Sequence, residues 1–102
     1  MNYQLVLQFP GKSEENFDIL IEMEEKLEEG LDSMSDVDGH DFGSDEMNIF
    51  IYSSNPKECF EQAKWLLIDI IDLNTMRAAF RHVKSEDFTI LWPKGLKMFE
   101  VK

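Results

Sequence analysis

The chain has 102 residues and a formal net charge of −11, from 21 acidic and 10 basic residues. This length suits one domain with one core, and its 12% of aromatic residues argue against a disordered chain. The negative charge repels phosphate backbones and anionic lipid headgroups, so we expect neither nucleic acid nor a membrane as a partner. A basic protein or a cation is electrostatically favoured.

Cysteine content and the N-terminal residues indicate the cellular compartment. The single cysteine, Cys59, cannot form an internal disulfide, which fits a reducing environment. Residues 3–9 are interrupted by glutamines and follow no basic region, unlike a signal peptide. No apolar run approaches the roughly 18 residues that span a bilayer. We therefore expect a cytoplasmic protein.

The first third of the chain predicts a strand and then a helix. Residues 2–9 alternate apolar and polar side chains, as in a half-buried strand that ends before Pro10. Ser13 is a favourable N-cap with glutamates in the first turn behind it. Apolar residues then recur at helical spacing, so we predict a helix over about residues 14–29, with Gly30 as its stop.

The remaining elements follow in the same way. Residues 46–53 have the strongest strand pattern of the chain, and residues 33–38 predict a shorter strand before it. Asn55 and Pro56 predict a helix start, because Asn is a favoured N-cap and Pro is favoured at the first helical position. This helix is expected to end near Asp72. Two further strands are predicted over residues 76–84 and 88–92.

This order of elements predicts a single domain, residues 1–102, of the α+β class. Strand, helix, strand, strand, helix, strand is the order of the ferredoxin-like (βαββαβ) fold, with two helices on one face of an antiparallel sheet. The final strand would extend one edge of that sheet. The side chains expected in the core are Leu5, Leu7, Phe17, Leu20, Leu27, Ile49, Ile51, Phe60, Leu67, Met76, Ala78 and Phe80.

The sheet face away from the helices is the first candidate site. It would carry two aromatic and two cationic side chains, more than a solvated face needs. We expect it to be covered by residues 93–102, or to serve as a binding face or homodimer interface. An RNA-binding face is disfavoured, because the strand lacks the basic residue and glycine of that motif. The candidate binding residues here are Asn48, Phe50, Tyr52, Arg77 and Arg81.

The acidic, glycine-containing segment 36–46 is predicted to be a loop and is the second candidate site. Asp38, His40 and Asp41 could contribute to binding there, and a cation is one possible ligand. The segment lacks the glycine and glutamate positions of a calcium-binding EF-hand loop. Turn formation is the commoner use of such residues. We therefore predict no resident metal, and no cofactor.

Two stretches of the sequence resemble a known group of proteins. The run VDGHDFGSDEMNIFI at residues 37–51, together with TILWP at residues 89–93, is similar to a group of small uncharacterised bacterial proteins. The resemblance extends over most of the chain, and it implies a bacterial, soluble, single-domain protein. It implies no catalytic residue and no activity.

No residue set has the spacing of a catalytic or cofactor site, so no catalytic residue is predicted. The favoured function is a non-catalytic, acidic protein-binding domain, either a toxin-neutralising immunity-type protein or a regulator. One alternative is a small-molecule enzyme of the dimeric ferredoxin-like type, with a pocket near His40, Tyr52 and Arg81. A structural homo-oligomer is the other alternative.

Overall fold

The fold is an α+β sandwich of one five-stranded sheet and two helices. The computed structural model describes residues 1–43 and 45–101. Its elements are β1 (Tyr3–Pro10), α1 (Glu14–Gly30), β2 (Ser35–Phe42), β3 (Glu46–Ser53), α2 (Pro56–Leu67), a short 3-10 helix (Leu73–Thr75), β4 (Arg77–His82) and β5 (Thr89–Trp92). The strands lie in the order β2-β3-β1-β4-β5, and every neighbouring pair is antiparallel. The ferredoxin-like fold class is therefore confirmed, with β5 extending the sheet beyond β4.

Both helices begin at the caps that the sequence predicts. The Ser13 side chain accepts a hydrogen bond from the Asn16 backbone, and the Asn16 side chain accepts one in return, which closes a capping box. Asn55 caps α2 by accepting from the backbone N–H of Glu58. Within residues 1–43 and 45–101, no helix has both the length and the apolar character needed to cross a membrane.

The core lies between the two helices and one face of the sheet, here called the helix face. Most of the predicted core side chains belong to it, although Phe80 is only half-buried at its margin. The prediction for Phe17 was wrong, because this ring is 38% exposed and packs edge-on against His40 and Phe42 of β2. The buried cluster consists of Leu5, Leu7, Phe9, Leu20, Met23, Leu27, Met47, Ile49, Ile51, Cys59, Phe60, Ala63, Leu67, Met76 and Ala78.

The helix ends differ from the predictions for identifiable reasons. Gly30 is the last residue of α1, and a side chain there would clash with Leu66 of α2, so the glycine permits close helix packing. The second helix ends at Leu67 instead of near Asp72, and the chain continues in a turn in which the backbone N–H groups of Ile70 and Ile71 both donate to the Leu67 carbonyl. The Asp72 side chain then caps the 3-10 helix by accepting from Asn74.

The predicted acidic loop is largely a strand, because β2 continues to Phe42 and only residues 43–45 connect it to β3. Ser44 in this connection lies outside the described residues. The pairing with β3 shifts by one residue between Val37 and Gly39, which makes Asp38 the extra residue of a β-bulge. Gly39 has a positive φ of 149°, a conformation that favours glycine. The bulge keeps both Val37 and His40 on the helix face, opposite Ile51 and Ile49.

The assignment of the helix face predicts that Ile49→Asp abolishes folding. The buried carboxylate would have no partner in the core, and its cost of several kcal/mol would consume much of a typical stability of about 5–15 kcal/mol. Thr89→Asp, on the exposed surface of β5, is the matched control and should unfold like the wild type. Urea unfolding followed by circular dichroism measures both. A wild-type transition in Ile49→Asp would mean that this strand face is misassigned.

Candidate functional site

Strand pairing places most of the predicted site residues on the back face, defined as the sheet face away from the helices. Tyr52 and Arg81 both pair with Gln4 of the central strand, so all three share one face. The six predicted residues on the back face are Asp41, Asn48, Phe50, Tyr52, Arg77 and Arg81. His40 lies on the helix face, and Asp38 is the bulged residue of β2.

Two buried amides form the centre of the back face. Asn48 and Gln8 are 1% and 3% exposed, and the Gln8 Nε2 group donates to Asn48 Oδ1 at 3.1 Å. The same Nε2 group donates to the backbone carbonyl of Glu100 at 2.8 Å. A buried amide without partners costs about 1–3 kcal/mol, so this network stabilises the position of the C-terminal segment. Asn48 therefore has a structural partner within the chain.

The C-terminal segment, residues 93–101, lies over the back face. The Glu100 carbonyl reaches the central strand β1, and the rings of Phe88 and Phe99 pack with their centres 5.1 Å apart. Val6 and Ala79 point to this side and are fully buried, although both helices pack on the other side. This arrangement supports the expectation that the segment covers the sheet. It also means that β1, predicted to be half-buried, is buried on both faces.

The two arginines have different environments. Arg81 Nε donates to Gln4 Oε1 at 3.0 Å, and its Nη1 donates to the carbonyl oxygens of Val83 and Ser85 at 3.2 and 2.9 Å. This guanidinium therefore holds the connection between β4 and β5 against the sheet. Arg77 is exposed at the start of β4.

The residues of the predicted enzyme pocket are not brought together. His40 points to the helix face, whereas Tyr52 and Arg81 point to the back face, so the sheet itself separates them. The His40 imidazole Nδ1 lies 3.0 Å from Glu24 Oε2 of α1, and this contact connects α1 to the edge of the sheet.

The structure also separates the residues that could have formed a cation site. Asp41 and His40 lie on opposite faces of β2. Asp38 is the extra residue of the bulge that precedes them in the strand. Within the described ranges, no three histidine, cysteine, aspartate or glutamate side chains are grouped as metal ligands.

Cys59 is buried beside two serine hydroxyls, and this burial raises the pKa of its thiol, which keeps it protonated and unreactive near neutral pH.

The acidic side chains form the most distinctive surface of the molecule. Residues 14–46 contain fourteen of the 21 acidic residues and one of the ten lysines and arginines, so this segment carries −13 while the rest carries +2. Because α1 packs beside β2, the acids of both elements lie at the same edge of the sheet. Those of α1 lie on the helix side and Asp36 and Asp41 on the back side, and together they are here called the acidic surface. Its exposed members are Glu14, Glu15, Asp18, Glu22, Glu25, Glu28, Glu29, Asp36, Asp38 and Asp41.

Comparisons with known proteins give no match, whether with protein-family models, with curated proteins or with solved structures. The resemblance of residues 37–51 and 89–93 to small bacterial proteins therefore stays a prediction. The acidic surface and the covered back face are the features from which a function can be proposed.

Coverage of the back face predicts the effect of deleting residues 93–102. The deletion would expose Val6 and Ala79 and remove the Glu100 carbonyl from Gln8, so the free energy of unfolding should fall by at least about 2 kcal/mol. The uncovered face should also cause association, seen by light scattering after gel filtration. Deletion of residues 101–102 alone is the control and should leave the association state and the stability of the wild type unchanged. An unchanged stability in the longer deletion would contradict this packing.

Proposed function

We propose that the chain is a non-catalytic binding domain whose acidic surface captures a basic protein. The observation that carries this proposal is the placement of acidic side chains on α1 where they destabilise the helix itself. Side chains four residues apart are neighbours on a helix surface. Glu14 and Asp18, Asp18 and Glu22, and Glu25 and Glu29 are such pairs of like charge.

The C-terminal end of α1 contributes a second interaction that destabilises the helix. Glu28 and Glu29 occupy its last turn, which contains no basic residue, and they face the negative end of the helix dipole. Each like-charge pair costs about 0.2–0.5 kcal/mol, and each carboxylate at this end costs a comparable amount. Lysines at the same positions would favour folding. A surface that keeps its acids despite this cost is consistent with a need for negative potential.

A negative potential would raise the rate at which this chain associates with a basic partner. Opposite charges raise the rate of association, and the effect weakens as salt shortens the screening length to about 10 Å at 0.1 M. Covering a basic functional surface of the partner would inhibit it without any chemistry in this chain. That mode of action fits a toxin-neutralising immunity-type protein or a regulator.

The two alternative functions have less support. An enzyme pocket near His40, Tyr52 and Arg81 would require side chains from both sides of the sheet. A homo-oligomer that packs sheet against sheet would have to displace residues 93–101, which hold Gln8 through the Glu100 carbonyl.

Charge reversal on α1 is the direct test of the proposed function. The triple variant Glu25→Lys, Glu28→Lys, Glu29→Lys should lose a basic protein that the wild type captures from the native host. Its association rate with that protein, measured by stopped flow at low salt, should fall at least tenfold. The free energy of unfolding should stay equal or rise slightly, because the like-charge repulsion is relieved.

The control has the same change of net charge at other positions. Asp69→Lys, Glu86→Lys and Asp87→Lys alter three exposed acids outside α1 and β2, so this variant should bind nearly as fast as the wild type. If the association rate of the partner changes neither with salt concentration nor in either variant, capture by the acidic surface is contradicted. Equal losses in both variants would indicate net charge alone.

A further inference from the structure

The outer edge of β2 is open to a further strand. β2 is the last strand of the sheet, and within the described residues only β3 pairs with it. An edge of this kind presents backbone donors and acceptors that a second extended chain can use.

The hydrogen bonds at the two ends of β2 show which of its groups point outward. The Gly43 N–H donates to the Glu46 carbonyl at 2.9 Å, so Gly43 points toward β3. Because successive backbone groups of a strand alternate in direction, those of Phe42 and His40 point away from the sheet. At the other end, the Ser54 N–H donates to the Met34 carbonyl, and the same alternation turns Val37 outward.

A depression lined in part by two aromatic rings lies beside this edge. The rings of Phe17 and Phe42 pack edge-on with centres 5.4 Å apart. With Lys12, Ser13, Glu14 and Asp18 they line a volume of about 390 Å³, in which the two carboxylates outnumber the one lysine. Aromatic faces attract a guanidinium group and its alkyl stem, and carboxylates pair with its N–H groups. The depression therefore has the chemistry of a site for an arginine side chain.

The charges around the edge select the occupant. β2 itself carries Asp36, Asp38 and Asp41, so a second copy of β2 would bring like charges together. A basic extended segment would instead place a cationic side chain beside Asp41, where opposite charges on adjacent strands stabilise pairing, with Asp36 and Asp38 farther along the same edge.

We infer that β2 binds an extended basic segment of the partner as a sixth strand, with one arginine side chain in the depression between Phe17 and Phe42. This inference rests on the proposed function and names how the same surface makes contact. The new strand would bond to the outward backbone groups of His40 and Phe42. The bulge at Asp38 would limit continuous pairing to the part of β2 after Gly39.

The test uses a ten-residue peptide of alternating arginine and threonine, and a glutamine–threonine peptide as the uncharged control. His40→Pro removes the outward N–H, whereas His40→Ala keeps it, and both remove the imidazole. Proline is tolerated where a strand N–H faces outward. The arginine peptide should bind His40→Pro about tenfold more weakly than His40→Ala. Equal affinities would overturn strand addition.

The depression is tested by a second pair of variants. Phe17→Ala should weaken binding of the arginine peptide by about tenfold, since it removes one of the two aromatic rings. Ile68→Ala, which truncates an exposed side chain just after α2, should leave the affinity unchanged. An equal affinity in Phe17→Ala and Ile68→Ala would overturn the placement of the arginine.

Amide hydrogen exchange of the wild type gives a measurement that needs no variant. Saturating peptide should slow exchange at His40 and Phe42 at least tenfold and leave the amides of β5, at the other edge, unchanged. Slowing at neither residue would overturn the inference. If binding still depends on salt and on the α1 charge reversals, the proposed function stands without strand addition. If the charge reversals on α1 leave binding unchanged while His40 and Phe42 are protected, the proposed function is contradicted and strand addition stands.

Discussion

Burial of β1 on both of its faces is the constraint on which the rest of the structure depends. Five consecutive residues from Leu5 to Phe9 are inaccessible to solvent, with the helices on one side and residues 93–101 on the other. Burial of Leu5, Leu7 and Phe9 against the helices fixes the register of β1, because a shift by one residue would turn its glutamines toward the helices. β1 therefore orders both of its neighbours, β3 and β4, and every other element packs on this three-stranded centre.

The sequence predicts the parts of the fold that arise from local patterns. Alternation identifies β1 and β3, and the caps at Ser13 and Asn55 identify the helix starts. β2 was missed beyond Asp38 because its bulge breaks the alternation, and its aspartates and glycine resemble a loop. The sequence could suggest coverage of the back face but not its geometry, since the Gln8 bond to Glu100 joins residues 92 positions apart. The acidic residues were evident from composition, whereas their placement at one edge of the sheet follows from the packing of α1 beside β2.

The acidic surface and the hydrophobic core are separate parts of the molecule. The like charges of the acidic surface weaken α1, while the core beneath it contains no charged side chain among the described buried residues. The contact of His40 with Glu24 and the rings of Phe17 and Phe42 connect α1 to the edge strand. The same side chains therefore support the helix and form the border of the β2 edge.

The central position of β1 also has a consequence for how the chain folds as it is synthesised. β1 precedes the other four strands of the sheet and stands in its middle, and its two neighbours are residues 46–53 and 77–82. Until β4 has been made, β1 lacks one partner, and its back face stays uncovered until residues 93–101 follow. Contacts between distant residues close slowly because they must first overcome the entropy of long loops. A chain synthesised only as far as α2 consequently has the helices and a β1–β3 pair available, and the sheet is completed only after residues 77–92 have been made.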